Sequence, residues 1–329
     1  MEKIVTFFFL VFIAQNSFAK SPELDLLYAN NHQSGPLKKK MDYIDYVDSG
    51  YDFLNRKVYL ISNTVDAIFT QRGINEEKNK SYFRVWYEMS KSESGEFLAR
   101  PDFRLRLYLK ETRKILKFTF DNTSRGQETQ SQLSQVQAAV NTKSEDKDLS
   151  ASLGVDLKKT ERLRFSTSGG VRLRFPPNLF LRSIGSFNDQ WGSIDVSLQN
   201  SFFYYSLDGF GNTTNLNFLY RFTDRFKLIF ETFGTWLEPR DYNAGSGVQL
   251  FYSFSDKVTI AQQIGVNANK LESKFALKDY FVSSTFRRLL YKDWFFIEIT
   301  PSIVWAREFS WNPKGNIYLR LEAFFGGNK

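Results

Sequence analysis

Phe103-Arg104-Leu105-Arg106-Leu107-Tyr108-Leu109-Lys110 places apolar residues at the odd positions and polar ones at the even positions. A β-strand turns successive side chains to opposite faces, so this segment has a Phe/Leu face and an Arg/Lys face. The same alternation runs through Arg162-Leu163-Arg164-Phe165 and Val171-Arg172-Leu173-Arg174-Phe175. Period two begins near residue 81 and continues to the C-terminal end, in segments of about 9–14 residues. Soluble strands run nearer 5–6 residues, whereas a tilted strand crossing a bilayer needs about 9–11. A soluble sandwich alternates as well, with its apolar face against a second sheet. This many long apolar faces in an exported soluble chain would leave aggregation-prone edges, which a closed barrel lacks. The pattern therefore predicts an all-β transmembrane antiparallel up-and-down barrel over 81–329, of 14 strands, with 12 the nearest alternative.

The connections carry the same signal. Short polar turns are expected at 110–113, 158–161, 223–224, 255–256 and 291–293, alternating with longer loops at 122–147, 238–244, 270–275 and 308–315. A short connection at 175–178, holding Pro176 and Pro177, departs from that rhythm. Short periplasmic turns and longer external loops are the outer-membrane pattern, as is an even strand count. Trp191, Tyr204, Tyr220, Trp236, Tyr252, Tyr280, Tyr291, Trp294 and Trp305 fall mostly near expected strand ends. Tyr and Trp favour the membrane–water interface, where one end of the side chain is apolar and the other wet.

Alternation also assigns the inner wall. Charged side chains facing lipid at the midplane cost about 2–4 kcal/mol, so the polar face must line the lumen. Inward bases are Arg104, Arg106, Lys117, Arg162, Arg164, Arg172 and Arg174, with Arg84, Arg221, Lys227 and Arg320. Inward acids are Asp102, Asp156, Asp195, Glu231 and Glu298, with Glu88, Asp121 and Glu322. The first half of the wall is the more basic. It reads either as a wet pore or as a salt-bridge network filling the barrel, and the two can coexist. The glutamine-bearing stretch 122–147 exceeds the 12–15 residues beyond which loops are usually functional or disordered.

Ahead of the barrel, an apolar run at 4–14 followed by Ser17-Phe18-Ala19 predicts a cleaved signal peptide over 1–19. Residues 20–40 form a polar linker ending in Lys38-Lys39-Lys40. In 41–70, Ile44, Val47, Tyr51, Leu54, Val58, Ile61, Val65 and Ile68 recur at alternating spacings of three and four, the apolar seam of an amphipathic helix. That seam can dock on or inside the barrel, self-associate or meet an envelope partner, or lie on the membrane surface.

With these segments in place, the chain resembles bacterial outer-membrane β-barrel proteins of the porin-like class. Its last strand, Ile317-Tyr318-Leu319-Arg320-Leu321-Glu322-Ala323-Phe324-Phe325, is similar to the aromatic-ended strand read by the barrel assembly machinery, although Gly326-Gly327-Asn328-Lys329 follow it. The helix ahead of the barrel makes the chain similar also to uncharacterised proteobacterial barrels of that layout. The resemblance implies outer-membrane lipid and the assembly machinery as partners.

Composition narrows the chemistry. The chain has 329 residues, no Cys and one His. Disulfides, thiolate metal sites and a Cys nucleophile are thereby excluded. His32 lies in the polar linker, away from any barrel nucleophile that it would have to reach as a general base. No metal-ligand spacing or phosphate loop is present, and no cofactor or enzymatic activity is expected. The net charge is +8, but the arginines alternate along strands rather than cluster on one helix, which argues against nucleic acid. The sequence thus predicts an outer-membrane pore for small polar or anionic solutes, with a non-conducting structural or partner-binding barrel as the alternative.

Overall fold

The computed structural model describes residues 51–58, 81–93, 95, 97–109, 116–122, 148–238, 241–271 and 274–326. The expected signal peptide and linker lie outside these residues. So do positions 41–50 and 59–70 of the expected helix, with Val47, Ile61, Val65 and Ile68.

Fourteen strands follow one helical segment, α1 (51–58). They are β1 (Tyr82–Ser92), β2 (Phe97–Leu109), β3 (Leu116–Asp121), β4 (Leu149–Lys159), β5 (Leu163–Leu173), β6 (Asn178–Trp191) and β7 (Ile194–Tyr205). The second half comprises β8 (Gly209–Arg221), β9 (Phe226–Leu237), β10 (Asp241–Ser255), β11 (Val258–Leu271), β12 (Lys274–Tyr291), β13 (Phe295–Ala306) and β14 (Pro313–Gly326). Each strand pairs antiparallel with the next, and β1 pairs with β14 from Tyr82↔Gly326 to Ser92↔Asn316, closing the sheet. The expected strand number is therefore the one found. With strands about 4.8 Å apart and tilted about 40°, fourteen of them give a barrel roughly 28 Å across between backbones.

Directly opposed residues of an antiparallel pair share a face, so register sorts every strand. Val85, Tyr87, Leu153, Leu181, Phe230, Val248, Leu250, Ile264 and Ile317 all fall on the outer face and are exposed. Aromatic side chains bound this apolar band. Phe210 and Tyr220 on β8, Phe226 and Trp236 on β9, and Tyr242 and Tyr252 on β10 stand ten residues apart on each strand, all outward. Ten residues at about 3.4 Å, tilted about 40°, rise about 26 Å, close to the roughly 25 Å apolar band of an outer-membrane barrel. The belts are continuous: Tyr220–Phe222, Phe222–Phe226 and Tyr252–Phe254 contact at one rim. At the other rim, Tyr280 stacks on Trp305 and Trp311.

Two expected long loops are absent. β9 ends at Leu237 and β10 starts at Asp241, while β11 runs to Leu271 and β12 starts at Lys274. Between β11 and β12, pairing continues past Tyr280 of the belt through Lys270↔Phe275 and Leu271↔Lys274, whereas β10 starts one residue beyond Tyr242. Beyond the belt both faces meet water, so polarity no longer alternates and a strand reads as a loop. The expected loop at 308–315 is likewise shortened, to a 3-10 turn (Arg307–Phe309) followed by β14 from Pro313. Among the described residues, the connections at both rims are short.

Three inward glycines make room for inward rings. A Cβ on Gly211 would collide with the Phe203 ring opposite it, one on Gly245 with Phe233, and one on Gly170 with Phe180. Each ring lies along the wall over its glycine, the cross-strand pairing that also rescues glycine in designed sheets. Gly211→Val is expected to lower folded-state stability by about 1–3 kcal/mol, the usual cost of overpacking. A chemical-denaturation titration in detergent would measure it, and an unchanged midpoint would contradict the packing.

α1 sits at the rim holding both ends of the barrel. Tyr51, Leu54, Asn55 and Val58 form its covered stripe, at the i, i+3, i+4, i+7 spacing of one helix face. Tyr51 stacks on Trp294 at 4.8 Å and meets Phe325 at 5.6 Å. Asn55 Oδ1 accepts from the Gly326 N–H at 2.5 Å, and Val58 is buried. Phe325 opposes Phe83 on the outer face, so this segment docks outside the barrel wall. Among the described residues no helix is long and apolar enough to cross a membrane.

Candidate functional site

The inner wall is built by the strand faces opposite the apolar band, and its charges are mostly paired. The densest cluster spans the closing seam. Glu88 of β1 accepts from Trp86 Nε1 at 2.9 Å, Arg100 Nε at 3.0 Å, Tyr318 Oη at 2.7 Å and Arg320 Nη2 at 2.8 Å. Register explains the gathering: Glu88 lies opposite Arg100 on β2 and opposite Arg320 on β14. Beside it, Arg84 grips Glu322 with two bonds of 2.7 and 2.9 Å, and Arg287 bridges Glu322 at 3.4 Å and Glu298 at 3.2 Å. Such charge-assisted and bidentate contacts are the stronger hydrogen bonds of proteins. Asp102, almost fully buried, lies 3.7 Å from Arg100.

A second cluster lines β2–β5. Arg104 pairs with Asp121 at 3.1 Å, and Asp156 receives both Lys117 at 2.5 Å and Arg164 at 3.1 Å. Arg106 lies over the Tyr82 ring. A third cluster stands at the opposite rim. Arg174 reaches Asp208 at 3.2 Å and Asp148 at 3.7 Å, while Arg172 and Arg182 both donate to Tyr205 Oη, at 3.0 and 2.9 Å. Asp195 pairs with Arg221, and Glu231 is buried on the inner face of β9 beside Asn217.

Two of the expected wall residues stand off the strands. Arg162 lies in the turn between β4 and β5, largely exposed, 3.3 Å from Asp189. Arg174 follows the end of β5. Simple alternation carried both inward because it continues a strand past the point where the backbone turns. Arg100, Arg182, Arg287, Asp148 and Asp208 belong to the wall but escaped the sequence reading. Arg100 was findable, because it shares parity with Asp102 and Arg104. Arg182 was harder, because β6 puts Phe180 and Ile184 inward beside it.

The rest of the circumference has a different chemistry. On β8–β11 the inward positions hold Asn215, Asn217, Asn243, Gln249, Gln263 and Asn267. Hydroxyls join them: Thr213 and Thr235 share a bond at 3.1 Å. Asn267 donates to Asp279 at 2.6 Å. One arc of the lumen is thus a paired-charge wall, and on the facing arc amides and hydroxyls stand among glycines, the charged Arg221, Lys227 and Glu231 and the apolar Leu219, Ile229, Phe233 and Phe251. Near the 3-10 turn, Phe309 packs against the inward Phe281, Val304 and Ala306.

Solved structures share this architecture at low similarity. OprB of Pseudomonas putida, solved at low pH, is 9% identical over 75% of this chain and 93% of its own, with a TM-score of 0.48. OccK10 of Pseudomonas aeruginosa is 8% identical over 76% and 99%, at 0.47. The outer-membrane channel DcaP of Acinetobacter baumannii is 7% identical over 75% and 96%, at 0.43. No protein-family model and no curated protein matches the chain. Likeness this distant carries no functional argument, so function has to be read from the barrel's own two faces.

Proposed function

We propose that this protein is an outer-membrane channel for small polar solutes, with a modest preference for anions. The observation that carries the reading is the pairing of two opposite surfaces on one closed sheet. An apolar outer band about 26 Å tall between aromatic belts fits a bilayer, and the inner face carries the charged clusters and the amide and hydroxyl side chains, with apolar Phe180, Phe203, Phe233, Phe281 and Val304 among them. Eight-stranded barrels are filled by side chains, whereas 16–18 strands leave an aqueous channel, so fourteen lies toward the open end. The amide arc offers donors and acceptors to a neutral solute, with Lys227 over the Phe251 ring at one end of it. Salt-bridging of Arg104, Lys117, Arg164 and Arg174 keeps the anion preference small. Lipid surrounds the barrel, and the Phe324-Phe325 end of β14 is the segment offered to the assembly machinery.

A second reading has its own support. The Glu88 and Glu322 clusters are buried and pack the interior beside the β1–β14 seam, as they would in a non-conducting structural barrel. Reversal potentials in a salt gradient address the first reading. Replacing Arg104, Arg164, Arg172 and Arg174 by Gln is expected to move the reversal potential toward cations, because a ring of charge selects by its potential. The Debye length at 0.15 M salt, about 8 Å, leaves that potential felt across much of a pore. A conducting protein whose selectivity ignores all four changes would contradict the anion preference.

A further inference from the structure

We infer that the outward face of α1 is a binding surface for anionic phospholipid headgroups at the rim of the barrel. The inference rests on the membrane placement proposed above and concerns a surface separate from the lumen. Taking 100° per residue, the docked stripe of Tyr51, Leu54, Asn55 and Val58 leaves Phe53 and Arg56 about 150° away on either side, with Lys57 flanking Phe53. Phe53 is 54% exposed, and Lys57 Nζ lies 5.3 Å from its ring centroid. One side of the helix is therefore consumed by the barrel, and the other holds a single exposed phenyl ring between basic side chains.

What covers that ring follows from where the helix sits. Tyr51 packs on Phe325 and Trp294, and Phe325 continues on the outer wall into Phe83. α1 thus lies against the outer wall at the level of one aromatic belt, with Phe53, Arg56 and Lys57 on its side away from that wall. This rim also carries both ends of the barrel, and the longest stretch between strands, from Asp121 of β3 to Leu149 of β4, leaves the opposite rim, as the longer external loops of outer-membrane barrels do. The leaflet there is phospholipid. An interfacial helix seats aromatic residues at the acyl boundary and basic ones among the headgroups. Phe53, Arg56 and Lys57 meet that description. Asp52, on the flank, reduces the net charge of the patch to one positive unit.

The chain has no cysteine, so a single reporter can be placed cleanly. Full-length Phe53→Cys, labelled with bimane and reconstituted into phosphatidylcholine vesicles, is expected to be quenched by brominated lipid and shielded from aqueous iodide. With mixed lipids the site is expected to favour brominated phosphatidylglycerol over brominated phosphatidylcholine by about fivefold, the equivalent of about 1 kcal/mol for one basic charge at an anionic surface. Arg56→Gln with Lys57→Gln is expected to abolish that preference while lipid quenching persists. Glu161→Cys, in an exposed turn, supplies the aqueous reference, and Tyr252→Cys, in the belt, the lipid reference. Lipid quenching at 252 but not at 53 would overturn the inference alone. Quenching at neither would overturn the membrane placement itself. A phosphatidylglycerol preference unchanged by the double Gln variant would overturn the headgroup assignment. If Phe53→Cys fails to fold by gel heat-shift, Asp52→Cys, exposed on the flank of the same face and outside the basic pair, carries the reporter.

Discussion

Glu88→Gln is expected to cost the barrel about 3–5 kcal/mol, the usual penalty for removing one partner of a buried ion pair. Glu88 is the acceptor on which β1, β2 and β14 converge, through Arg100, Tyr318, Arg320 and Trp86. A glutamine keeps the shape and one acceptor oxygen but leaves two guanidiniums facing each other across the closing seam. The seam is also the pairing of greatest sequence separation, so its formation must offset the largest loop-closure entropy in the sheet. Denaturant titration in detergent, followed by the gel mobility of unheated protein, measures the loss. Adding Arg320→Gln is expected to recover part of it, because the second substitution removes one uncompensated charge. If Glu88→Gln unfolds at the parent midpoint, the cluster contributes nothing to closure.

Val248→Arg is expected to cost about 2–4 kcal/mol, and Tyr252→Arg no more than about 1. Both side chains face outward on β10. Val248 stands within the apolar band, opposite Phe230 and Ile264, whereas Tyr252 belongs to the aromatic belt. An arginine in the belt can extend its charge into the headgroups, and one near mid-height cannot do so without thinning the bilayer. The contrast separates a lipid-facing wall from a merely exposed one: in a soluble barrel either substitution would change stability by only a few tenths of a kcal/mol. Equal small effects at both positions, measured by folding titration into lipid vesicles, would contradict the spanning band.

What the sequence made legible follows from which physical signals are local. Period-two alternation is a property of single strands, so the barrel class, the strand number and the identity of most wall charges could be read from segments such as 103–110. The Tyr51, Leu54 and Val58 seam was legible for the same reason, since a helix face is set by spacing alone. Partnership was not legible. Arg104 meets Asp121 because β2 and β3 pair in one register, and Glu88 meets Arg320 across 232 residues. No local pattern encodes either contact. The basic first half of the wall therefore read as more positive than the folded lumen is. Strand ends were misplaced at 270–275, where pairing outruns the aromatic belt and alternation weakens, and at 238–244, where β10 begins directly after the turn-like run Glu238-Pro239-Arg240. The direction taken by α1, onto the outer rim, depends on Trp294 and Phe325, which only the closed fold brings beside it.

The most direct measurement is single-channel recording of purified, heat-modifiable protein in a planar bilayer. Discrete, ohmic conductance steps with a weak anion preference are expected, reporting an aqueous path along the amide arc of β8–β11. Protein that inserts in the folded form, shown by its gel mobility after recovery from the membrane, yet leaves conductance at the lipid baseline would contradict the channel and leave the filled, structural barrel.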